Sequence, residues 1–176
     1  MKKRDFLKVF GVFVSSSFLK YSNTYAKCVD TTPEQIQGPF FKSGSPFRKK
    51  LYDGINKSHS IIEIEGYVYD TNCMPVKNAN LEFWHASPQG SYDNVGYEYR
   101  GHQKSDDFGR FSIETIRPGS YPGRTPHIHV TISLGRKKVT TQLYFDDELL
   151  NKKDFFYDPR LVLQEKNNRL HFNFFI

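Results

Sequence analysis

From Ile61 onward the apolar side chains recur at every second position, and this period constrains the fold more than any other feature of the chain. Ile62, Ile64 and Val68 alternate with Glu63, Glu65, Tyr67 and Tyr69, and Leu81, Phe83 and His85 alternate with Glu82, Trp84 and Ala86. Phe111 and Ile113 mark a third run, and Ile128, Val130, Ile132 and Leu134 a fourth. Val139, Thr141, Leu143 and Phe145 form a fifth after Gly135, and Leu170, Phe172, Phe174 and Ile176 the last. A period of two lines up one set of side chains on one face of a strand. Short runs punctuated by Asp70-Thr71-Asn72, Pro118-Gly119 and Pro122-Gly123, with almost no helical period, predict an all-β chain. The expected architecture is a β-sandwich of mixed sheets with long functional loops and minimal helix. Thr32-Pro33-Glu34-Gln35 reads as a single helical turn, with Thr32 capping and Pro33 at the first helical position. Residues 42–60 read as polar loop, and residues 90–107 as a loop of the length that tends to carry function.

Residues 1–26 have the pattern of a cleaved export signal. Lys2, Lys3 and Arg4 precede a mildly apolar stretch at 9–19, and Asn23-Thr24-Tyr25-Ala26 offers small-residue cleavage before Lys27. Lys3-Arg4-Asp5-Phe6-Leu7-Lys8 is similar to the twin-arginine export motif, with Lys in place of the first Arg. The chain then divides into this signal, an N-terminal arm and loop at 27–60, and a sandwich catalytic domain at 61–176. Export predicts a periplasmic or secreted protein. In that oxidising setting Cys28 and Cys73 read as one disulfide and not as metal ligands. The net charge of +6 is concentrated in the leader, where five basic residues face Asp5 alone, which excludes a dedicated nucleic-acid binder. No apolar run reaches the ~18 residues of a spanning helix, so no membrane association is expected after cleavage.

Chemistry enters at His127-Ile128-His129. On a strand, residues i and i+2 share a face, so two imidazoles stand side by side while Ile128 continues the core stripe. Upstream, Tyr121 sits in Pro118-Gly119-Ser120-Tyr121-Pro122-Gly123-Arg124, and Tyr92 follows Gly90 in the long loop. A phenolate is a hard anionic donor, and a bound cation deprotonates it far below its free pKa of ~10. Zinc rarely takes Tyr and Cu(I) prefers sulfur, so two His and two Tyr select Fe(III).

At this point the chain resembles the intradiol ring-cleavage dioxygenases, the group containing protocatechuate 3,4-dioxygenase and catechol 1,2-dioxygenase. The matching pieces are Gly66-x-Val68, the turn at 70–76, the stretch at 84–92, Arg100-Gly101 and the stretch at 106–109. They continue through Thr115-Ile116-x-Pro118-Gly119-x-Tyr121-Pro122-x-Arg124, Pro126-His127-Ile128-His129 and Thr141-Gln142-Leu143-Tyr144-Phe145. The resemblance implies one Fe(III) per chain held by Tyr92, Tyr121, His127 and His129. It makes Tyr121 the axial tyrosinate that substrate displaces, and places Arg124 beside the bound ring. The implied reaction joins a catecholic substrate, protocatechuate-like or catechol, with O2 to give a cis,cis-muconate-type diacid. Gln142 lies on the face opposite Leu143, either supporting this catalytic set or as an ordinary polar strand residue. His59, His85, His102 and His171 match no role. The helical N-terminal domain of the catechol-type members has no room here, so the chain resembles the compact, single-domain branch. A homo-oligomer stays open. Two other readings compete. One is a two-His, one-carboxylate Fe(II) site drawing on Asp146, Asp147 or Glu148; the other is an iron-binding sandwich module without turnover.

Overall fold

The computed structural model describes residues 30–54 and 60–176; the expected signal and Cys28 lie outside the described residues. The strands are β1 (Ile61–Tyr69), β2 (Asn80–His85), β3 (Arg100–Lys104), β4 (Arg110–Ile116), β5 (His127–Leu134), β6 (Lys137–Tyr144), β7 (Gln164–Lys166), β8 (Arg169–His171) and β9 (Phe174–Phe175). Two short 3-10 helices, Leu149–Lys153 and Pro159–Leu161, lie between β6 and β7. One sheet runs β4-β1-β8-β7, with β9 also on β1, and the other runs β3-β2-β5-β6. The first is mixed, because β1 is antiparallel to β4 and parallel to β8 and β9. The fold is therefore an all-β sandwich.

The stripes expected from the period meet between the sheets. Ile64, Val68, Phe111 and Ile113 pack against Leu81, Phe83, Ile128, Val130, Ile132, Val139 and Leu143. Burying each such side chain contributes about 1.5–3 kcal/mol. Cys73, in the turn after β1, is not free and holds a positive φ of 64°.

The structure corrects four local expectations. Residues 32–35 form no helical turn. The Thr32 hydroxyl accepts the Phe175 N–H at 2.8 Å, and the Gln35 N–H donates to the Thr140 carbonyl at 2.8 Å. Pairing with formed strands outcompetes an isolated turn whose nucleation is unfavourable. The expected loop at 90–107 contains β3, which has no apolar alternation to reveal it. Its Gly101 leaves room for Leu51, whose Cδ2 would lie 2.7 Å from an added Cβ. Leu51 and Tyr52 are buried, so residues 42–60 are not uniformly a solvated polar loop. The last apolar run divides into β8 and β9 around Phe172-Asn173, where a Cβ on Gly66 would lie 1.8 Å from the Phe172 carbonyl oxygen.

The arm crosses the outer face of the β3-β2-β5-β6 sheet. Gln142 Nε2 donates to the Ile36 carbonyl at 3.2 Å, and Phe41 packs edge-on against Trp84 at 5.0 Å. At the end that carries Trp84, His129 and Gln142 this sheet is thereby buried on both faces, which makes a shielded site out of what would otherwise be a solvated one.

Candidate metal centre

Strand register builds the floor of the site. Arg100 of β3 pairs with Trp84 of β2, Trp84 with His129 of β5, and His129 with Gln142 of β6. The four side chains form one row across the sheet. His127 lies two residues from His129 on the same face, opposite Tyr144. Both histidines are buried, and the Trp84 ring stacks on His129 at 4.9 Å and 4°.

Two loops supply the tyrosines. Residues 121–124 form a turn closed by the Arg124 N–H on the Tyr121 carbonyl at 2.9 Å. Pro122 stands at its second position and Gly123, at φ +78°, at its third, the chemistry a type II turn requires. The turn sets Tyr121 beside Arg124, whose Nη1 lies 3.3 Å from the Tyr121 Oη. The Tyr92 loop is seated against this one by close backbone contact: a Cβ on Gly119 would lie 2.1 Å from the Pro88 carbonyl oxygen, and one on Gly90 2.2 Å from that of Ser120. The Tyr92 and Tyr121 rings meet edge to face at 5.8 Å.

Donor atoms of four side chains gather in one region, and among the described residues the buried His129 Nδ1 and Trp84 Nε1 have no hydrogen-bond partner. His127 Nδ1 donates to the Thr125 carbonyl at 2.7 Å, which leaves the Nε2 lone pair free. His127 Nε2 and His129 Nε2 are 3.2 Å apart, and the Tyr121 Oη is 3.4 Å from His127 Nε2. Among the described residues the buried Tyr92 Oη has no hydrogen bond of good geometry, with the Tyr121 hydroxyl as its polar neighbour. Two nitrogens on one ion at ~2.1 Å and at right angles would stand ~3.0 Å apart, close to the separation seen. The donors present therefore fit a single metal ion. Burial and the Arg124 charge push His127 down from its ordinary 6.5 to about 4, and burial pushes His129 well below 6.5. Burial pushes the Tyr92 phenol up. Burial thus favours neutral imidazoles and a phenol that ionises only against a cation.

Arg124 is held on three sides. Its Nε donates to the Asp154 carboxylate at 3.0 and 3.2 Å, its Nη2 to Gln142 Oε1, and its Nη1 reaches Tyr121. Gln142 is fully buried and tied to the arm, so it is no ordinary solvated strand residue. Asp154 also accepts the Thr125 and Phe156 N–H groups, both at 2.9 Å. The Tyr144 hydroxyl contacts Gln35 Oε1 at 2.9 Å, the Phe156 carbonyl at 2.8 Å and Gln142 Oε1 at 3.3 Å. A cleft of about 170 Å³ beside this group is lined by Tyr121, Arg124, Thr125, Leu150, Lys153 and Asp154, among others. A larger groove on the other sheet includes none of the candidate ligands.

Sequence reasoning missed Asp154, Tyr144 and Phe40. Asp154 lies outside any strand period, and Phe40 stacks on Tyr92 at 4.3 Å from a segment with no regular structure. The carboxylate alternative is corrected: among the described residues no group of three or more His, Cys, Asp or Glu could hold a metal. Asp147 and Glu148 are engaged by Arg117, and Asp146 is exposed. His85 is buried with both ring nitrogens partnered by Ala86 and Thr115, and the His102 ring bonds to Ser45.

The family model described as dioxygenase matches residues 36–171. The chain is similar to the catechol 1,2-dioxygenase of Acinetobacter baylyi, 26% identical over 162 residues covering 74% of this chain and 51% of that protein. It is 31% identical to the hydroxyquinol 1,2-dioxygenase of Nocardioides simplex over 153 residues, 72% of this chain and 52% of that one. It spans about half the length of these curated relatives. Among solved structures it is similar to the dioxygenase domain of a dioxygenase carbohydrate-binding protein fusion from Streptomyces sp. SirexAA-E. That match has a TM-score of 0.78 and 39% identity, covering 84% of this chain and 98% of that one.

Proposed function

The chain belongs to the intradiol ring-cleavage dioxygenase family, and on that footing we propose that it opens a catechol-type ring between its two hydroxylated carbons with O2, giving a cis,cis-muconate-type diacid. The observation that carries this reading is the convergence of His127 Nε2, His129 Nε2, the Tyr121 Oη and the Tyr92 Oη in one buried place. Tyr92, Tyr121, His127 and His129 would hold one ferric ion per chain. When bound, that ion supplies the Lewis acidity and electron-accepting character that make a chelated catechol reactive toward O2.

The protein's own residues divide the remaining work. Tyr121, in its turn at the cleft, would help hold the ion and is placed to take a substrate hydroxyl proton at its Oη. Arg124 keeps its cation at the cleft, where it stabilises negative charge developing on the ring. Gln142 and Asp154 fix the guanidinium on the sides away from Tyr121. Phe40 and Trp84 pack against Tyr92 and His129 and keep water from that side of the donors. Export, with action in the periplasm or outside the cell, belongs to the same proposal.

The test is oxygen uptake by the iron-loaded mature chain with catechol, chlorocatechol, hydroxyquinol and protocatechuate, alongside metal analysis and a visible spectrum. The expected result is about one iron per chain, a tyrosinate-to-Fe(III) band and oxygen-dependent appearance of a diacid. Stoichiometric zinc without a visible band would sink the metal assignment. Bound iron with no oxygen uptake on any catechol would leave a binding module in place of an enzyme.

A further inference from the structure

Arg100 begins β3 and is 1% exposed, yet its side chain bonds only to backbone carbonyls among the described residues. Its Nη1 donates to the Phe40 carbonyl at 2.7 Å, and its Nε and Nη2 donate to the Asp93 carbonyl at 3.2 and 3.1 Å. The neighbouring Asp93 carboxylate is occupied by the N–H groups of Val95, Gly96 and Glu98. A buried guanidinium matched only by neutral acceptors is costly, so its retention calls for a reason.

The reason lies in what those two carbonyls flank. Asp93 directly follows Tyr92. Phe40 stacks on the Tyr92 ring at 4.3 Å and 12°. The guanidinium carbon itself stands 5.8 Å from the centre of that ring. Among the described residues the Tyr92 oxygen has no hydrogen bond of good geometry and only the Tyr121 hydroxyl as a polar neighbour, so the ring is aimed chiefly from its sides and its backbone. Arg100 grips both, and it also belongs to the row that ends in His129 and Gln142.

We infer that Arg100 is a positioning residue for Tyr92. Its planar fork ties the tyrosine loop to the arm, so the phenol oxygen faces the metal centre. Lysine cannot replace it, because a single ammonium lacks the flat, forked donor geometry that reaches both carbonyls. The inference rests on the reading of Tyr92 as a ligand.

The test is a double-mutant cycle on iron release. Iron-loaded full-length wild type, Arg100→Lys, Tyr92→Phe and the double variant are mixed with a strong chelator, and loss of the visible band and of iron is timed. Arg100→Lys is expected to speed release by about 10–100-fold, the range for removing a support of a metal ligand, and to shift the band. In the Tyr92→Phe background it is expected to add nothing. Wild-type release from Arg100→Lys, or an effect that simply multiplies that of Tyr92→Phe, overturns the inference. If Tyr92→Phe itself releases iron at the wild-type rate, the ligand reading fails and the inference falls with it. Should Arg100→Lys not fold, Phe40→Leu removes the ring the clamp presents. The same cycle then decides, with faster, non-additive release in favour and unchanged release against.

Discussion

Replacing Asp154 with Asn changes one oxygen to NH2 in a side chain that is 1% exposed, and the structure lets the cost be worked out. One carboxylate oxygen takes the Thr125 N–H at 2.9 Å and the other takes the Phe156 N–H at 2.9 Å, while Arg124 Nε spans both. An amide has one oxygen. Whichever way it is turned, one backbone N–H meets another donor, and Arg124 loses its counter-charge. An unsatisfied buried donor costs about 1–3 kcal/mol. Breaking a buried ion pair from one side costs about 3–5 kcal/mol. The two are not independent, and Gln142 still holds Arg124, so the expected loss is about 3–5 kcal/mol, a large share of the ~5–15 kcal/mol of a typical domain. Urea unfolding of the metal-free protein measures it without reference to activity. Arg124→Gln should cost less, because the carboxylate keeps both backbone donors. The double variant should lose less than the two losses combined, by more than ~1 kcal/mol. An Asp154→Asn loss under ~1 kcal/mol, or strict additivity, would refute the argument.

Burial pushes His85 down from 6.5 to about 4, so between those values the unfolded chain binds a proton that the folded one refuses. Its contribution is complete above pH 6.5 and is lost as pH falls to 4, up to about 3 kcal/mol. His85→Gln should flatten that part of the metal-free stability profile, and an unchanged slope counts against the assignment. Tyr121→Phe should keep iron with an altered visible band while turnover per iron drops ~10²–10⁴-fold; wild-type turnover would show that Tyr121 is not the proton acceptor. Gly119→Ala sets a Cβ 2.1 Å from the Pro88 carbonyl oxygen and should cost about 1–3 kcal/mol and reduce iron occupancy. Wild-type melting and full occupancy would mean the two loops are free to separate.

The sandwich was legible because its core obeys period two. Ile128, Val130 and Ile132 read as one face from sequence, and they are buried together. The same parity put His127 and His129 on the other face, where the structure has them. Parity does not say what covers that face, and the cover is the arm, whose Ile36 and Phe41 contacts follow no period. β3 was invisible because Arg100-Gly101-His102-Gln103-Lys104 has no apolar alternation; its pairing is dictated by β2 and by Leu51 filling the space over Gly101. Asp154 was invisible for a related reason. A carboxylate in a polar, charge-rich segment looks solvated until tertiary structure brings Arg124 and two backbone N–H groups to it.

The balance of buried charge around the centre bears on what it can accept. Arg100 and Arg124 bring two guanidinium charges, and Asp154 is the carboxylate bonded directly to either of them. The imidazoles are held neutral by burial, and burial opposes ionisation of Tyr92. The Asp93 carboxylate, held ionised by three backbone N–H groups, lies near Arg100, so each guanidinium has an acidic neighbour. On the proposed function a highly charged cation would draw phenolate charge from Tyr92 and Tyr121 and further negative charge from a chelating substrate. Two adjacent phenolic oxygens would provide that second portion as Tyr121 takes up a proton. On the proposed function the same two guanidiniums would favour an anionic catechol, so its affinity and that of the ion would be coupled through Arg100 and Arg124.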